Sequence, residues 1–290
     1  MTEPFATPYR VSTITCNGTL GKNLGEVFLD KVFEYIEIIE GADNVGFIYL
    51  VDKEGKNTKG TSPKKPKKTH LKKLLEEEIN KKRRFDNAVS GYFQTKEGYC
   101  PSVKVFKNGT IQMTGLKKIE DGELLHKQVF EVFQTLIGKH SDIVKNNDLN
   151  CADFIVRLIN SDFSVPFHIR RKDLHQLLIS DTYNNVSSFQ PGTYPGVKFQ
   201  YNWNPHFEKY DGRCYCSGNK CFGKGTGGDS IDQGTSGCKK ITVSIFESGK
   251  ILITGAINFH QIDEAYKYIC VILKTHRPVL EKIIPTVRSP

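Results

Sequence analysis

A 13-residue pattern occurs twice in this chain, 140 residues apart, and it restricts the fold more than any other feature. Val103–Gly115 reads VKVFKNGTIQMTG and Val243–Gly255 reads VSIFESGKILITG. Six positions are identical without a gap: Val103/Val243, Phe106/Phe246, Gly109/Gly249, Ile111/Ile251, Thr114/Thr254 and Gly115/Gly255. The chain has 290 residues, so a unit of about half its length can be present twice. Each copy alternates apolar and other residues on both sides of a Gly-containing turn, which predicts a β-hairpin. Val103, Val105, Ile111 and Met113 share one face, as do Val243, Ile245, Ile251 and Ile253; these are core faces. The opposite faces carry Lys104, Phe106, Gln112 and Thr114 in the first copy and Ser244, Phe246, Leu252 and Thr254 in the second. A large aromatic among small polar groups is unusual on a solvated face. Either a second layer covers it or it binds something flat and neutral. A helix-period pattern follows each hairpin, over Glu120–Ile137 (Leu124, Leu125, Val129, Phe133, Leu136) and Gln261–Leu273 (Ile262, Ala265, Ile269, Ile272, Leu273). A sheet with helices on one side leaves its other side open.

These features resemble the TATA-box-binding protein (TBP) family. The family's F-x-x-G-x-x-x-x-T-G followed by an amphipathic helix stands here twice. Tyr194-Pro195-Gly196 matches the family's Phe-Pro-Gly, and Phe167-His168-Ile169-Arg170 its approach to the first helix of the second half. RFDNAVSGYF, FKNGTIQMTG and RLINSDF are most similar to the divergent versions encoded by giant DNA viruses. The resemblance implies an α+β saddle: two pseudo-symmetric repeats forming one curved antiparallel sheet, with helices on the convex face. The repeats would span 1–147 and 148–290.

It also implies a function. The concave face would lie on an A/T-rich minor groove of double-stranded DNA, with aromatic wedges kinking base steps. Phe106 and Phe246 stand at the hairpin wedges, and Phe85 and Tyr194 at their companions. Thr114, Lys250, Leu252 and Thr254 match contact positions. Matching Thr19-Leu20-Gly21 to the family places Thr13, with Thr15 two residues on, where a central Asn is usual. In the second half Leu158 takes that place, with Asn160 facing the same way. Lys104 and Gln112 replace aliphatic residues, so the face is more polar than the family's and specificity for TATA itself is weakened.

Two insertions interrupt the repeats. Between Asp52 and Arg84 there are 13 Lys/Arg against 5 Asp/Glu, a surplus of eight in a chain whose net charge is +9. This run reads as a solvated loop and short helix, as a phosphate contact or as a nuclear-targeting signal. Its Ser-Pro-Lys-Lys-Pro-Lys-Lys tract puts Lys64, Lys65, Lys67 and Lys68 on an extended segment suited to DNA phosphates. The second insertion, about 204–238, holds Cys214, Cys216, Cys221 and Cys238. Four soft ligands in a Gly-rich loop suit one structural zinc. Free thiols and disulfides are the other readings of that cluster. Cys16, Cys100, Cys151 and Cys270 read as small apolar residues.

No P-loop, GxSxG or HExxH pattern is present, so the chain is expected not to be an enzyme. No run approaches the about 20 apolar residues of a membrane span. The leading expectation is a transcription initiation factor that binds promoter DNA. Its partners would be a transcription-factor-IIB-like protein or RNA polymerase subunits. It would work inside the cell, in the host nucleus or a viral factory, or be packaged in the virion. The rival readings are a protein-interaction platform with little DNA binding and a non-specific architectural DNA-binding protein of a virion.

Overall fold

A computed structural model describes residues 5–41, 44–63, 87–207, 209–216, 221, 225 and 237–283. The lysine tract at 64–68, the helix expected near 71–84 and Phe85 lie outside the described residues. The architecture is α+β and consists of two compact units, 14–157 and 158–290, the latter joined by residues 1–13.

The first unit contains strands β1 (Arg10–Thr19, from Ile14 onward), β2 (Gly46–Val51), β3 (Thr58–Gly60), β4 (Ala88–Gln94), β5 (Ser102–Phe106) and β6 (Thr110–Leu116). Helix α1 is Leu29–Tyr35 and helix α2 is Ile119–Lys139. The strands lie side by side in the order β3-β2-β4-β5-β6-β1, and the pairs are antiparallel. The expected hairpin is β5–β6, with Val103 opposite Met113 and Val105 opposite Ile111. All four of these side chains are buried. Helix α2 covers them with Leu125, Val129, Phe133, Leu136 and Ile137. Leu124, expected on that stripe, points outward and is 40% exposed. Spacings of four and three residues from Leu125 keep one face inward, and Leu124 lies about 100° around the helix from it. Gly18 of β1 gives the buried His126 ring its place: a Cβ there would sit 2.4 Å from Nε2. That nitrogen lies 3.0 Å from the Thr19 carbonyl.

The second unit repeats the plan. Its strands are β7 (Ala152–Ser164, from Leu158 onward), β8 (Val186–Ser188), β9 (Val197–Trp203), β10 (Lys239–Ile245) and β11 (Lys250–Ala256). They lie in the order β7-β11-β10-β9-β8. Helices α3 (Arg171–Ile179), α4 (Phe259–Thr275) and α5 (Arg277–Leu280) complete it. Helix α4 buries Ile262, Ala265, Ile269, Ile272 and Leu273, the expected stripe. Its start is capped reciprocally. Asn258 Oδ1 accepts from the Gln261 N–H at 3.0 Å, and Gln261 Oε1 accepts from the Ile257 N–H at 2.9 Å. Helix α2 has no such side-chain cap and carries Glu120 and Asp121 in its first turn, where the helix dipole favours acids. Residues 1–13 belong to this unit. The Thr7 N–H donates to the Ser164 carbonyl at 2.9 Å, and the Tyr9 hydroxyl to Asp263 at 2.7 Å.

Both hairpin turns need glycine, for different reasons. Gly109 and Gly249 have φ of +81° and +80°. A Cβ at Gly249 would meet the carbonyl oxygens of Val165 and Phe167 at 2.5 and 2.6 Å, whereas at Gly109 it would meet the Leu24 side chain at 2.8 Å. Backbone cannot step aside as a leucine can. Both alanine variants are therefore expected to be less stable, by about 1 kcal/mol or more from the left-handed backbone alone. Gly249→Ala should lose clearly more than Gly109→Ala, measured as the shift in urea midpoint.

Candidate nucleic-acid interface

Because the helices cover one side of each sheet, the other side of each unit is a surface of half-buried side chains. In the first unit Lys104 stands opposite Gln112, and Gln112 opposite Asn17 of β1. In the next row Ser102 stands opposite Thr114, and Thr114 opposite Thr15. The Thr15 and Thr114 hydroxyl oxygens are 3.4 Å apart. Phe106 closes β5, half-buried, with Ala88 as its partner on β4. The Asn17 Oδ1 is buried and has no hydrogen-bond partner among the described residues. The same holds for Thr13 Oγ1 and for Asn160 Oδ1 in the second unit. Buried polar atoms left unpaired are uncommon in folded proteins and mark capacity for an outside partner.

In the second unit Leu252 and Thr254 of β11 face Ser244 and Thr242 of β10, which face Lys198 and Gln200 of β9. Together with Tyr194 and β8 they line a shallow depression of about 370 Å³. At its rim the rings of Tyr194 and Phe246 meet at 5.8 Å between centroids, tilted by 54°. Lys198 Nζ lies 4.1 Å from the Tyr194 centroid, a cation–π contact. Gly196 makes this pairing possible, since a Cβ there would lie 2.9 Å from the Tyr194 ring and 3.2 Å from that of Phe246. The sequence match to Phe-Pro-Gly thus has a steric basis. Phe85, the companion expected beside Phe106, lies outside the described residues.

The register exposes a residue that sequence reasoning missed. Gln112 and Leu252 are equivalent by the repeat. Their partners on the neighbouring strands are Asn17 and Asp162. Asp162 is only 8% exposed although it lies on the open face. Arg10 Nε donates to its Oδ2 at 3.0 Å, Ser12 Oγ to its Oδ1, and Lys250 Nζ lies 3.9 Å away. Burial alone would push this carboxyl up. The Ser12 and Arg10 hydrogen bonds, with the charges of Arg10 and Lys250, outweigh it and hold the pKa below the usual carboxylate value. Asp162 follows Asn160 by two residues, so the alternation of β7 was the available signal.

The four clustered cysteines converge. The Sγ atoms of Cys214, Cys216, Cys221 and Cys238 all lie within 4.8 Å of one another, and Cys216 and Cys238 are 3.5 Å apart. Zinc–sulfur bonds of about 2.3 Å in a tetrahedron require sulfur–sulfur edges of roughly 3.8 Å. Gly237, at φ +97°, turns the chain beside Cys221, whose Sγ would be 3.3 Å from a Cβ there. The near side of the loop is pinned to the unit. Asn202 donates through its backbone N–H and its Nδ2 to the Gly212 carbonyl, both at 3.0 Å. Arg213 donates to the carbonyls of Tyr183 and Thr182 at 2.7 Å. The cluster is thus a set of four thiol ligands that can hold a metal ion. Of the remaining cysteines Cys16 is fully buried, while Cys100, Cys151 and Cys270 are half-buried.

Comparison with known proteins found the following likenesses. Residues 235–276, which hold β10, β11 and α4, match the family model described as "Transcription factor TFIID (or TATA-binding protein, TBP)". A "TATA-box-binding protein-like" protein of Acanthamoeba polyphaga mimivirus is 28% identical over 190 residues. Over these segments the chain is similar to TBP-family proteins. The mimivirus alignment takes in 63% of this chain and 45% of the relative, so the chain spans less than half of that protein's length. The solved structure of Methanococcus jannaschii TBP aligns with 94% of the chain and 100% of its own length, at 14% identity and a TM-score of 0.45. No described helix is long and apolar enough to cross a membrane.

The Asp162 cluster gives a pH prediction. A carboxyl whose folded pKa is depressed stabilises the fold above its unfolded pKa of about 3.9, and that stability is lost as pH falls through the folded value. The protein should therefore lose stability from about pH 4 downward. Asp162→Asn should make that loss shallower while leaving the slope above pH 5 unchanged, as followed by thermal melts across pH 2–6.

Proposed function

We propose that this chain is a transcription initiation factor that binds promoter DNA through the minor groove and bends it. The observation that carries the reading is the open face of each unit: flat, mostly neutral strand residues ending at an aromatic wedge, Phe106 in one and Phe246 beside Tyr194 in the other. A minor groove displays mainly acceptors and apolar sugar edges and distinguishes chiefly A·T from G·C, so it suits such a face better than a charged one. Inserting a wedge unstacks a base step at a cost of a few kcal/mol, which the wrapped contact surface offsets. On this reading Thr13, Thr15, Asn160, Lys104, Gln112, Thr114, Leu252 and Thr254 meet the groove. Lys250 and the tract Lys64, Lys65, Lys67 and Lys68 neutralise phosphates. Phe85 backs Phe106.

The protein performs no catalysis itself. It recruits a transcription-factor-IIB-like protein or polymerase subunits to the genes of a large DNA virus, in the host nucleus or a viral factory. The mimivirus relative supports the viral setting. Cys214, Cys216, Cys221 and Cys238 hold one structural zinc, which ties the loop after β9 to the start of β10. The residues fit the ion, being four thiols at near-tetrahedral separation.

Two measurements test this. Fluorescence-resonance bending assays on A·T-rich and G·C-rich duplexes, over a range of salt, should give A·T preference and a kink. Each phosphate neutralised should steepen the slope of log K against log salt by about 0.9. Phe106→Ala with Phe246→Ala should abolish the kink and weaken binding at least tenfold. Equal binding to both duplexes, or a kink that survives the double substitution, overturns the proposal. For the metal, atomic spectroscopy should find one zinc per chain. Cys216→Ser should lose it and lower the thermal midpoint; full thermal stability in the zinc-free variant would refute a structural role.

A further inference from the structure

Asp162 is the one acidic side chain among the described strand residues of the second unit's open face. On a surface meant for polyanionic DNA it needs a reason. It does not repel DNA as a bare charge would, because Arg10 and Lys250 flank it and the three groups together carry +1. Nor is it an ion pair sealed in the core: the Arg10 and Lys250 side chains are 75% and 50% exposed. Both are long enough to turn outward to phosphates, which would uncover Oδ2. Ser12 remains to hold Oδ1 in place. The carboxylate would then present an ordered acceptor beside Leu252, its register partner.

The chemistry of the groove says what such an acceptor can meet. An ionised carboxylate only accepts hydrogen bonds. In the minor groove A·T and T·A pairs show only acceptors, adenine N3 and thymine O2, whereas guanine adds the donor N2 amine. Asp162 therefore opposes an A·T pair and matches a G·C pair. We infer that Asp162 is a specificity-determining residue that accepts a hydrogen bond from the exocyclic amine of a guanine. The DNA element would then carry a G·C pair under the second unit, within otherwise A·T-rich sequence. The equivalent position in the first unit is Asn17, paired with Gln112. Their amides both donate and accept, so that half imposes no such demand. The two half-sites are thus chemically different despite the repeat.

This inference rests on the proposed minor-groove binding, and the test separates the two. An A·T-rich duplex is scanned with single G·C pairs, and each guanine is then replaced by inosine, which lacks the N2 amine but keeps the major-groove edge. The wild-type full-length chain should favour G·C at one position by about tenfold, the scale of one base-pair discrimination. Inosine at that position should remove the gain. Asp162→Ala should bind the G·C and inosine duplexes equally and still kink the all-A·T duplex, which also reports that it is folded. Binding and kinking by the wild type with no inosine effect at any position overturns the inference and leaves the function standing. Failure of the wild type to bind any duplex overturns both. The wild-type inosine scan decides the matter even if the alanine variant does not fold.

Discussion

One-sided coverage of an antiparallel sheet is the constraint on which both units depend. Helices α2 and α4 lie on one face of β5–β6 and β10–β11, and the aliphatic residues of those hairpins are buried there. Each fully buried Val, Ile or Phe contributes about 1.5–3 kcal/mol relative to exposure, so the covered side supplies most of the driving force. The uncovered side must then stay soluble without becoming so charged that neighbouring strands repel. Threonine, serine, asparagine and glutamine rows meet that demand, with Phe106 at the end of its strand and the Tyr49–Tyr92 pair among the neutral residues. The physical requirement for a stable half-covered sheet and the chemical profile of a minor-groove ligand coincide.

The sequence made the covered side legible and the open side only partly so. Period-two alternation around Gly109 and Gly249 defined the hairpins, and the 3.6-residue period found α2 and α4 to within two residues at each end. Leu124 misled because a leucine adjacent to a stripe looks like part of it until the helix phase is fixed. Strands β2 and β3 carried no repeat and went unassigned, although Phe47 and Leu50 of β2 are buried. On the open side the Phe-Pro-Gly match pointed to Tyr194, whose ring meets that of Phe246 beside Gly196. Asp162 was not legible in this way, because its role depends on a cross-strand register and on two basic residues, one of them 152 positions away.

The cysteine insertion shows the same limit. C-x-C-x4-C-x16-C is not a familiar finger spacing, and chain separation alone favoured one zinc while leaving free thiols and disulfides open. Convergence of four sulfurs depends on the left-handed turn at Gly237 and on the Asn202 and Arg213 hydrogen bonds that fix the loop's first half. Such restraints come from the folded unit and are absent from any local pattern.

The membership of residues 1–13 has a consequence for how the molecule is made. Thr7 and Tyr9, just before the strand Arg10–Thr19, are held by Ser164 and Asp263, Arg10 and Ser12 of its outer part by Asp162, and its inner part pairs with β6. The groups that hold this segment thus lie about 150 to 250 positions further along the chain. Closing so long a loop is slow compared with forming a hairpin, so the docking of this segment is a late step in the folding of the second unit. A substitution at Tyr9, Arg10 or Ser12 would then be felt in the second unit, which carries the Tyr194–Phe246 ring pair.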